Sequence, residues 1–241
     1  TFASEVPEDV CADGYIPEAN GDGTYGVKVG EHAVEMTVNG VTTKYESIND
    51  AVDAAPVDSY ANGKAGQEAE KAVIKLLKDT KGGFDIGVET GSLATFKIQN
   101  VEIDLNGYTL TLGQPLVGSP STRTSGIRVL AYSKLNIYNG TIEGATALRG
   151  VQNYGAVVVE DVVFEDMDAA YDTIGNFGSV ELKGNTVVPN GSNSAILNSS
   201  YTYSDDSQVG VKLTISDAAV EVGKIEVDLD ESAHPTTGHV N

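Results

Sequence analysis

The sequence lacks or nearly lacks several residue types that organise other classes of protein. Its 241 residues include no tryptophan, two methionines and one cysteine, Cys11. A single cysteine excludes a disulfide within the chain, so the fold must be held by its apolar core. No run of 18 apolar residues is present, and the sequence therefore predicts no direct membrane insertion.

Positive charge is also scarce. Fifteen Lys and Arg stand against 35 Asp and Glu, which gives a net charge of −20 at pH 7. Such a chain repels the phosphates of nucleic acids and of anionic lipids, so we expect no nucleic-acid partner. A solvated acidic surface on an exported protein is the simplest interpretation, and it leaves cation binding open.

What the sequence does contain is one short pattern written three times between residues 126 and 187. The apolar positions of the first copy recur 22 residues later and again 23 residues after that. The three copies are Val129, Tyr132, Leu135, Ile137, Ile142; Val151, Tyr154, Val157, Val159, Phe164; and Ile174, Phe177, Val180, Leu182, Val187. Within each copy the apolar residues alternate with period two and are rich in β-branched types, which predicts strands.

A unit of 22 residues without a helix-length segment is too short for a strand-helix-strand crossover. The chain must then return to its starting position by coiling, which predicts a solenoid with like side chains stacked at the strand spacing of about 4.8 Å. The pattern extends upstream to 72–79 and 101–112, and downstream to Leu213–Val220, with a last strand at 224–230. Two segments interrupt it, 113–125 and 198–207, and we interpret both as long loops.

These motifs carry a family resemblance. Val-Ile-Lys-Leu-Leu-Lys-Asp, Ile-Asp-Leu-Asn-Gly-Tyr-Thr-Leu, Leu-Asn-Ile-Tyr-Asn-Gly-Thr-Ile and Val-Val-Val-Glu-Asp-Val-Val-Phe resemble the pectate-lyase-like right-handed parallel β-helix, in particular its version in surface proteins and adhesins of Gram-positive bacteria. The resemblance covers residues 45–223. It implies an all-β fold, a right-handed parallel β-helix, and it is specific for fold rather than activity, because the superfamily includes lyases, hydrolases and adhesive modules.

The remaining segments complete the predicted organisation. Residues 1–44 form an N-terminal β-hairpin segment with a turn at Asn39-Gly40, and 45–230 form the β-helix. A capping helix covers 47–55, with Ser47 as N-cap and Asp50 three residues later. Residues 231–241 are expected to be a flexible tail. The chain starts without Met and carries no signal or anchor, so we expect a fragment of a longer exported protein.

Stacking by 22 or 23 residues also brings polar side chains together. Glu143 lies 22 residues before Glu165, and two carboxylates about 5 Å apart match a retaining glycosidase pair or a shared cation. Ion pairs are expected between Glu160 and Lys183 and between Arg149 and Asp172. Asn153 and Asn176 are expected to stack, and an inward column of bend residues is expected at Asn139, Asp161, Gly184 and Asp217.

The motifs expected of the enzymes in this superfamily are missing. None of the three arginines, Arg123, Arg128 and Arg149, falls beside an aspartate cluster by the repeat spacing, and no paired aspartates occur on successive repeats. Asn20, Asp22 and Thr24 have the beginning of a calcium-loop pattern without its acidic end, so calcium is the one cofactor left open.

The leading hypothesis is a non-enzymatic module at the bacterial cell surface or outside the cell, binding a polysaccharide or a host surface or matrix glycoprotein. The exposed candidates for contact are Tyr138, Tyr201, Tyr203 and Arg123, because tyrosine and arginine supply contact area and planar hydrogen bonding. The alternatives are a carbohydrate-active enzyme, lyase or hydrolase, using Glu143 and Glu165, and a structural spacer of a larger surface protein.

Overall fold

The structure is a computed structural model that describes residues 2–4, 11, 15–29, 32–59, 69–89, 97–113, 115–118, 125–144, 149–200, 211–228 and 239–240. The N-terminal elements are β1 (Tyr15–Ala19), β2 (Tyr25–Val29), β3 (Val34–Val38), β4 (Val41–Tyr45), α1 (Ile48–Ala54), β5 (Asp58–Ser59), β6 (Lys71–Leu76), β7 (Thr80–Lys81) and β8 (Phe84–Ile86).

The elements that follow are β9 (Lys97–Ile98), β10 (Asn100–Asp104), β11 (Thr109–Thr111), β12 (Ser125–Val129), β13 (Lys134–Glu143), β14 (Arg149–Asn153), β15 (Ala156–Glu165), a 3₁₀ turn (Met167–Ala169), β16 (Asp172–Asn176), β17 (Ser179–Lys183), β18 (Val187–Val188), β19 (Ser194–Ser199), β20 (Lys212–Ile215), β21 (Glu221–Val222), β22 (Ile225–Asp228) and β23 (His239–Val240).

The fold is all-β, as predicted, and is dominated by two large sheets. A 13-stranded sheet contains the path β23-β20-β17-β15-β13-β10-β6-β3-β4, and a six-stranded sheet has the order β22-β19-β16-β14-β12-β8. Every pairing within these sheets is parallel except those of β3 with β4 and with β6. No helix in the described part of the chain is long and apolar enough to cross a membrane.

The predicted repeat register is confirmed along the centre of the large sheet. Leu135 lies opposite Val157 and Ile137 opposite Val159, and the next strand continues the rows with Val180 and Leu182. The upstream and downstream copies join in the same register, at Ala72 and Ile74 in β6 and at Leu213 in β20. Side chains from both large sheets belong to one buried apolar cluster, so the two sheets share a core.

Three predicted column positions are wrong. Val129 lies opposite Asn153 rather than Val151, because four residues connect β12 to β13 and only two connect β14 to β15. For the same reason Tyr132 leaves the aromatic column and packs on Ala69 and Ile98, whereas Tyr154 and Phe177 do stack, with ring centroids 5.0 Å apart.

The third correction concerns β18. Val163 lies opposite Val187, so Val188, not Val187, follows Phe164 into the core. The turn between β17 and β18 contains two residues, Gly184 and Asn185, whereas the corresponding bend of β15 contains one, Asp161. The extra residue shifts the register of β18 by one.

The N-terminal side of the large sheet is covered by the predicted helix. Ser47 caps it by accepting a hydrogen bond from the Asp50 N–H at 3.1 Å. Ile48, Ala51, Val52 and Ala55 are buried against the core, as their spacing predicted. The buried Gln99 side-chain amide donates hydrogen bonds to the carbonyls of Val52 and Ala55, which connects the C-terminal end of α1 to the sheets. The Asn39-Gly40 turn is confirmed as the connection between β3 and β4.

Candidate functional site

The outward face of the large sheet carries the candidate site. In-register pairing sets Asp104, Tyr138, Glu160 and Lys183 side by side on four successive strands. Around Tyr138 this face forms a depression of about 430 Å³, lined by Glu102, Asn136, Ile137, Tyr138, Asn139, Val158, Glu160, Asp161 and Lys183. The site is therefore assembled from four strands that lie far apart in sequence.

Tyr138 is half-buried in this depression between polar neighbours. Burial, together with the nearby charges of Asp104 and Glu102, raises the pKa of Tyr138 above its ordinary value. The hydroxyl therefore stays protonated at neutral pH and is available as a hydrogen-bond donor. The amide of Asn139 donates to Asp104 at 3.1 Å, which holds one wall of the depression in place.

A second depression, of about 380 Å³, adjoins the first and shares Asn136 and Val158 with it. It extends the same face over β17 and β20 and is lined by Lys134, Asn136, Ala156, Val157, Val158, Ser179, Val180, Glu181, Lys212 and Thr214. We call the combined surface of the two depressions the Tyr138 face. An elongated surface of this kind suits a ligand that spans several strands.

The charges of the strands that carry the Tyr138 face are nearly balanced, unlike those of the whole chain. Strands β6, β10, β15, β17, β20 and residues 134–138 of β13 contain five lysines, Lys71, Lys75, Lys134, Lys183 and Lys212, and six carboxylates, Glu102, Asp104, Glu160, Asp161, Glu165 and Glu181. The chain as a whole has a net charge of −20. A neutral or weakly acidic ligand meets less repulsion here than the overall charge implies.

The predicted stacking of Glu143 and Glu165 is confirmed, since they lie opposite each other in the β13–β15 ladder. Glu143 is half-buried and accepts a hydrogen bond from the Thr111 hydroxyl at 2.8 Å, whereas Glu165 is exposed. Val188 does not continue this column, because of the register shift described above. The two carboxylates lie outside both depressions of the Tyr138 face.

One of the two predicted ion pairs forms. Arg149 Nε lies 3.5 Å from the fully buried Asp172 Oδ2, and the Arg149 guanidinium stacks on Phe177. Glu160 and Lys183 do lie opposite each other, but the Lys183 ammonium is found 3.7 Å from Glu181 instead. The prediction of a Glu160–Lys183 pair is therefore wrong, because the neighbour two residues along the same strand competes for the lysine.

Several candidates cannot be placed on a surface. Tyr201, Tyr203 and Arg123 lie outside the described residues.

In the suggested calcium loop, Asp22 accepts hydrogen bonds from the Thr24 N–H at 2.9 Å and from the Thr24 hydroxyl. These bonds lower the pKa of Asp22, the hydroxyl more than the N–H, and they identify the loop as an Asx turn. Over the described ranges, no group of three metal-ligating side chains is found.

A cleft of about 490 Å³, separate from the Tyr138 face, lies between α1 and the six-stranded sheet and was not predicted from the sequence. Arg128, 9% exposed, makes a two-bond contact with Asp85 at 2.8 Å and a third bond to Glu89 at 3.0 Å. Burial, then the charges of Asp50 and Asp85, raise the pKa of Asp53 at the rim. Arg128 in β12 lies directly opposite Asp85 in β8, and this pairing could have predicted the cleft. It could not be found from the sequence, because β8 has only three residues and is too short to be recognised as a strand.

This arginine is not suited to remove a proton from a substrate. Burial opposes its charge, but the hydrogen bonds and charges of Asp85 and Glu89 outweigh that effect and raise the pKa of Arg128. A guanidinium held in this way remains a cation and orients the carboxylates around it.

The chain matches no protein-family model, no curated protein and no solved structure.

Proposed function

We propose that the chain is a right-handed parallel β-helix of the pectate-lyase-like kind. The support is the way consecutive strands alternate between the two sheets, from β12 through β17, while each pairs in parallel with the strand one repeat away. A chain that visits the same sheets in turn and advances by one strand spacing per visit winds around an axis. The right hand follows from the general preference of parallel crossover connections.

The function that the geometry supports best is glycan binding by a non-enzymatic module, adhesive in role, at the bacterial cell surface or outside the cell. The observation that carries it is the position of Tyr138 in a polar depression, on a face of an acidic protein where lysines and carboxylates are nearly equal in number. Its partners are a polysaccharide or a host surface or matrix glycoprotein.

The side chains of the depression match the chemistry of a sugar. An aromatic ring packs against the C–H face of a pyranose, and its hydroxyl adds one directional hydrogen bond. Asn136 supplies both a donor and an acceptor, and the carboxylates of Glu102 and Glu160 accept bonds from sugar hydroxyls. Lys183 supplies a donor at the far wall.

The test is retention on a panel of immobilised neutral and acidic polysaccharides and matrix glycoproteins. Wild-type chain is compared with Tyr138→Ala and with the matched control Tyr171→Ala, which removes an exposed tyrosine outside the depression. We expect binding to at least one glycan, a loss of tenfold or more in affinity for Tyr138→Ala, and no change for the control. Equal losses in both variants would overturn the assignment to the Tyr138 face.

Because Glu143 and Glu165 lie opposite each other on adjacent strands, a carbohydrate-active enzyme stays as an alternative function. Adjacent strands bring the two carboxyl groups near the separation of about 5 Å that retaining glycosidases use. New reducing ends or unsaturated uronates from the same panel, abolished by Glu143→Gln with Glu165→Gln, would favour this alternative. If the chain neither binds nor cleaves any glycan of the panel, the remaining alternative is a structural spacer.

A further inference from the structure

Strand β4 forms one edge of the 13-stranded sheet, and most of its side chains are exposed. It pairs with β3 on one side, and no other described strand pairs with it. Residues 41–44 are all exposed, and Val41, at 69%, is the most exposed large apolar side chain among the described residues. Natural edge strands are normally blunted by proline, bulges or several charges, and Val41–Tyr45 has none of these beyond Lys44.

The hairpin geometry fixes which backbone groups of β4 point outward. Asn39 and Gly40 have φ values of 50° and 79°, a two-residue turn that makes Val38 and Val41 a hydrogen-bonded pair. Because such pairs alternate along an antiparallel ladder, Val41, Thr43 and Tyr45 bond to β3. The N–H and C=O groups of Thr42 and Lys44 therefore point away from the sheet.

This edge is complementary to itself. When two copies of β4 run antiparallel with Thr43 facing Thr43, Thr42 of each copy lies opposite Lys44 of the other, and the four outward groups form four hydrogen bonds. The same register sets the exposed Val41 against Tyr45 of the second copy, an aromatic and β-branched pair, and threonine against threonine, both favourable across strands.

The charges agree with this pairing. In an acidic protein, β4 contains no carboxylate, and its one lysine, Lys44, lies opposite Glu35 of β3 within the same hairpin. The edge strand of the six-stranded sheet, β22, contains Glu226 and Asp228 and would bring carboxylates together if it paired with itself. We propose that the chain forms a two-fold symmetric dimer through antiparallel pairing of β4 with β4 of a second copy, centred on Thr43.

Cysteine scanning tests the register directly. In a Cys11→Ser background, Thr43→Cys places two thiols on residues whose Cα atoms lie about 4.5 Å apart, within the range that a disulfide spans. Thr42→Cys is the matched control, since its two Cα atoms are diagonal neighbours on the order of 8 Å apart and cannot be bridged. Mild oxidation should convert Thr43→Cys to covalent dimer at least tenfold faster than Thr42→Cys.

A second variant tests the association without a cross-link. A five-residue strand buries little surface, so the dimer is weak and is measured by sedimentation equilibrium over a wide concentration range. Thr42→Pro removes an outward N–H, which an edge strand tolerates, together with the exposed hydroxyl bond between Thr42 and Thr37. It should abolish the concentration-dependent dimer while leaving the circular dichroism spectrum unchanged. A monomer at every concentration, or equal cross-linking of Thr42→Cys and Thr43→Cys, would overturn the proposal.

Discussion

Two rows of bend residues, with one residue per repeat, lie in opposite environments. The first row consists of Asn153 at the end of β14, Asn176 at the end of β16 and Asn198 within β19, and all three are buried. We call this row the asparagine ladder. Within or just after β13, β15 and β17, the bend is formed by Asn139, Asp161 and Gly184 with φ values of 64°, 53° and 58°, and its side chains lie at the surface. We call this row the outer bend.

The difference lies in what each row does for the backbone. In the asparagine ladder the Nδ2 of Asn153 donates to the Oδ1 of Asn176 at 2.9 Å, and the Nδ2 of Asn176 donates to the Oδ1 of Asn198 at 2.6 Å. Asn153 and Asn176 also accept from the backbone N–H two residues ahead. The outer bend instead needs residues that tolerate a left-handed conformation, and its one carboxylate, Asp161, accepts a hydrogen bond from the Asn185 N–H of the next repeat. Hydrogen bonding therefore defines one bend, and backbone conformation defines the other.

The largest effect is expected from breaking the asparagine ladder at its centre. Asn176→Ala removes the buried bonds that Asn176 makes to the Asn198 side-chain oxygen, the Gly178 N–H and the Lys212 carbonyl. It also removes one of the two acceptors of the Asn153 Nδ2, which keeps its bond to the Ser179 carbonyl. We expect the free energy of unfolding to fall by about 3 kcal/mol, because each orphaned buried group costs about 1–3 kcal/mol and the site relaxes in part. Urea denaturation measures it, and a loss below about 1 kcal/mol would mean that water replaces the ladder.

A smaller effect is expected from the outer bend, and its sign depends on the substituted residue. Asn139→Val forces a β-branched side chain into a left-handed conformation and should cost about 1–2 kcal/mol. Asn139→Gly loses the bond to Asp104 but relieves the backbone, so its stability should stay within about 0.5 kcal/mol of wild type. Equal losses in the two variants would show that the side-chain bond, rather than the backbone conformation, stabilises this bend.

The smallest effect is expected in the pH dependence of the outer bend. The Asn185 N–H, followed by its side-chain amide, lowers the pKa of Asp161. A lowered pKa in the folded state means that the stabilisation is present above the unfolded value of about 3.9 and is lost as the pH falls through the folded value. The stability gap between wild type and Asp161→Asn should therefore narrow on acidification below about pH 4, and a gap that stays constant would contradict this assignment.

The two rows also show how far the sequence could be interpreted. Repeat spacing predicted which residues would lie opposite each other, including Glu143 with Glu165 and Asn153 with Asn176. It did not predict on which side of the backbone a bend residue lies, so Asn139 and Asp161 were expected to point inward and are exposed. Orientation at a bend depends on the local φ, which spacing does not encode.

The errors in register have a similar cause. Tyr132 and Val187 were misplaced because one connection is two residues longer and one bend a single residue longer than its neighbours, and a fixed period averages over such differences. The cleft around Arg128 was missed because its partner Asp85 belongs to a three-residue strand. Tyr138 was predicted to be exposed but is half-buried, because the depression around it is formed by side chains from three other strands.

The central claim, that a glycan binds along the Tyr138 face, is tested most directly by mapping amide chemical shifts during titration with the best ligand from the panel. We predict that the perturbed residues cluster on β10, β13, β15 and β17 around Tyr138, Asn136 and Lys183, with no change at Tyr171. Perturbations confined to the Arg128 cleft, or to the surroundings of Glu143 and Glu165, would contradict the claim and move the site to that surface.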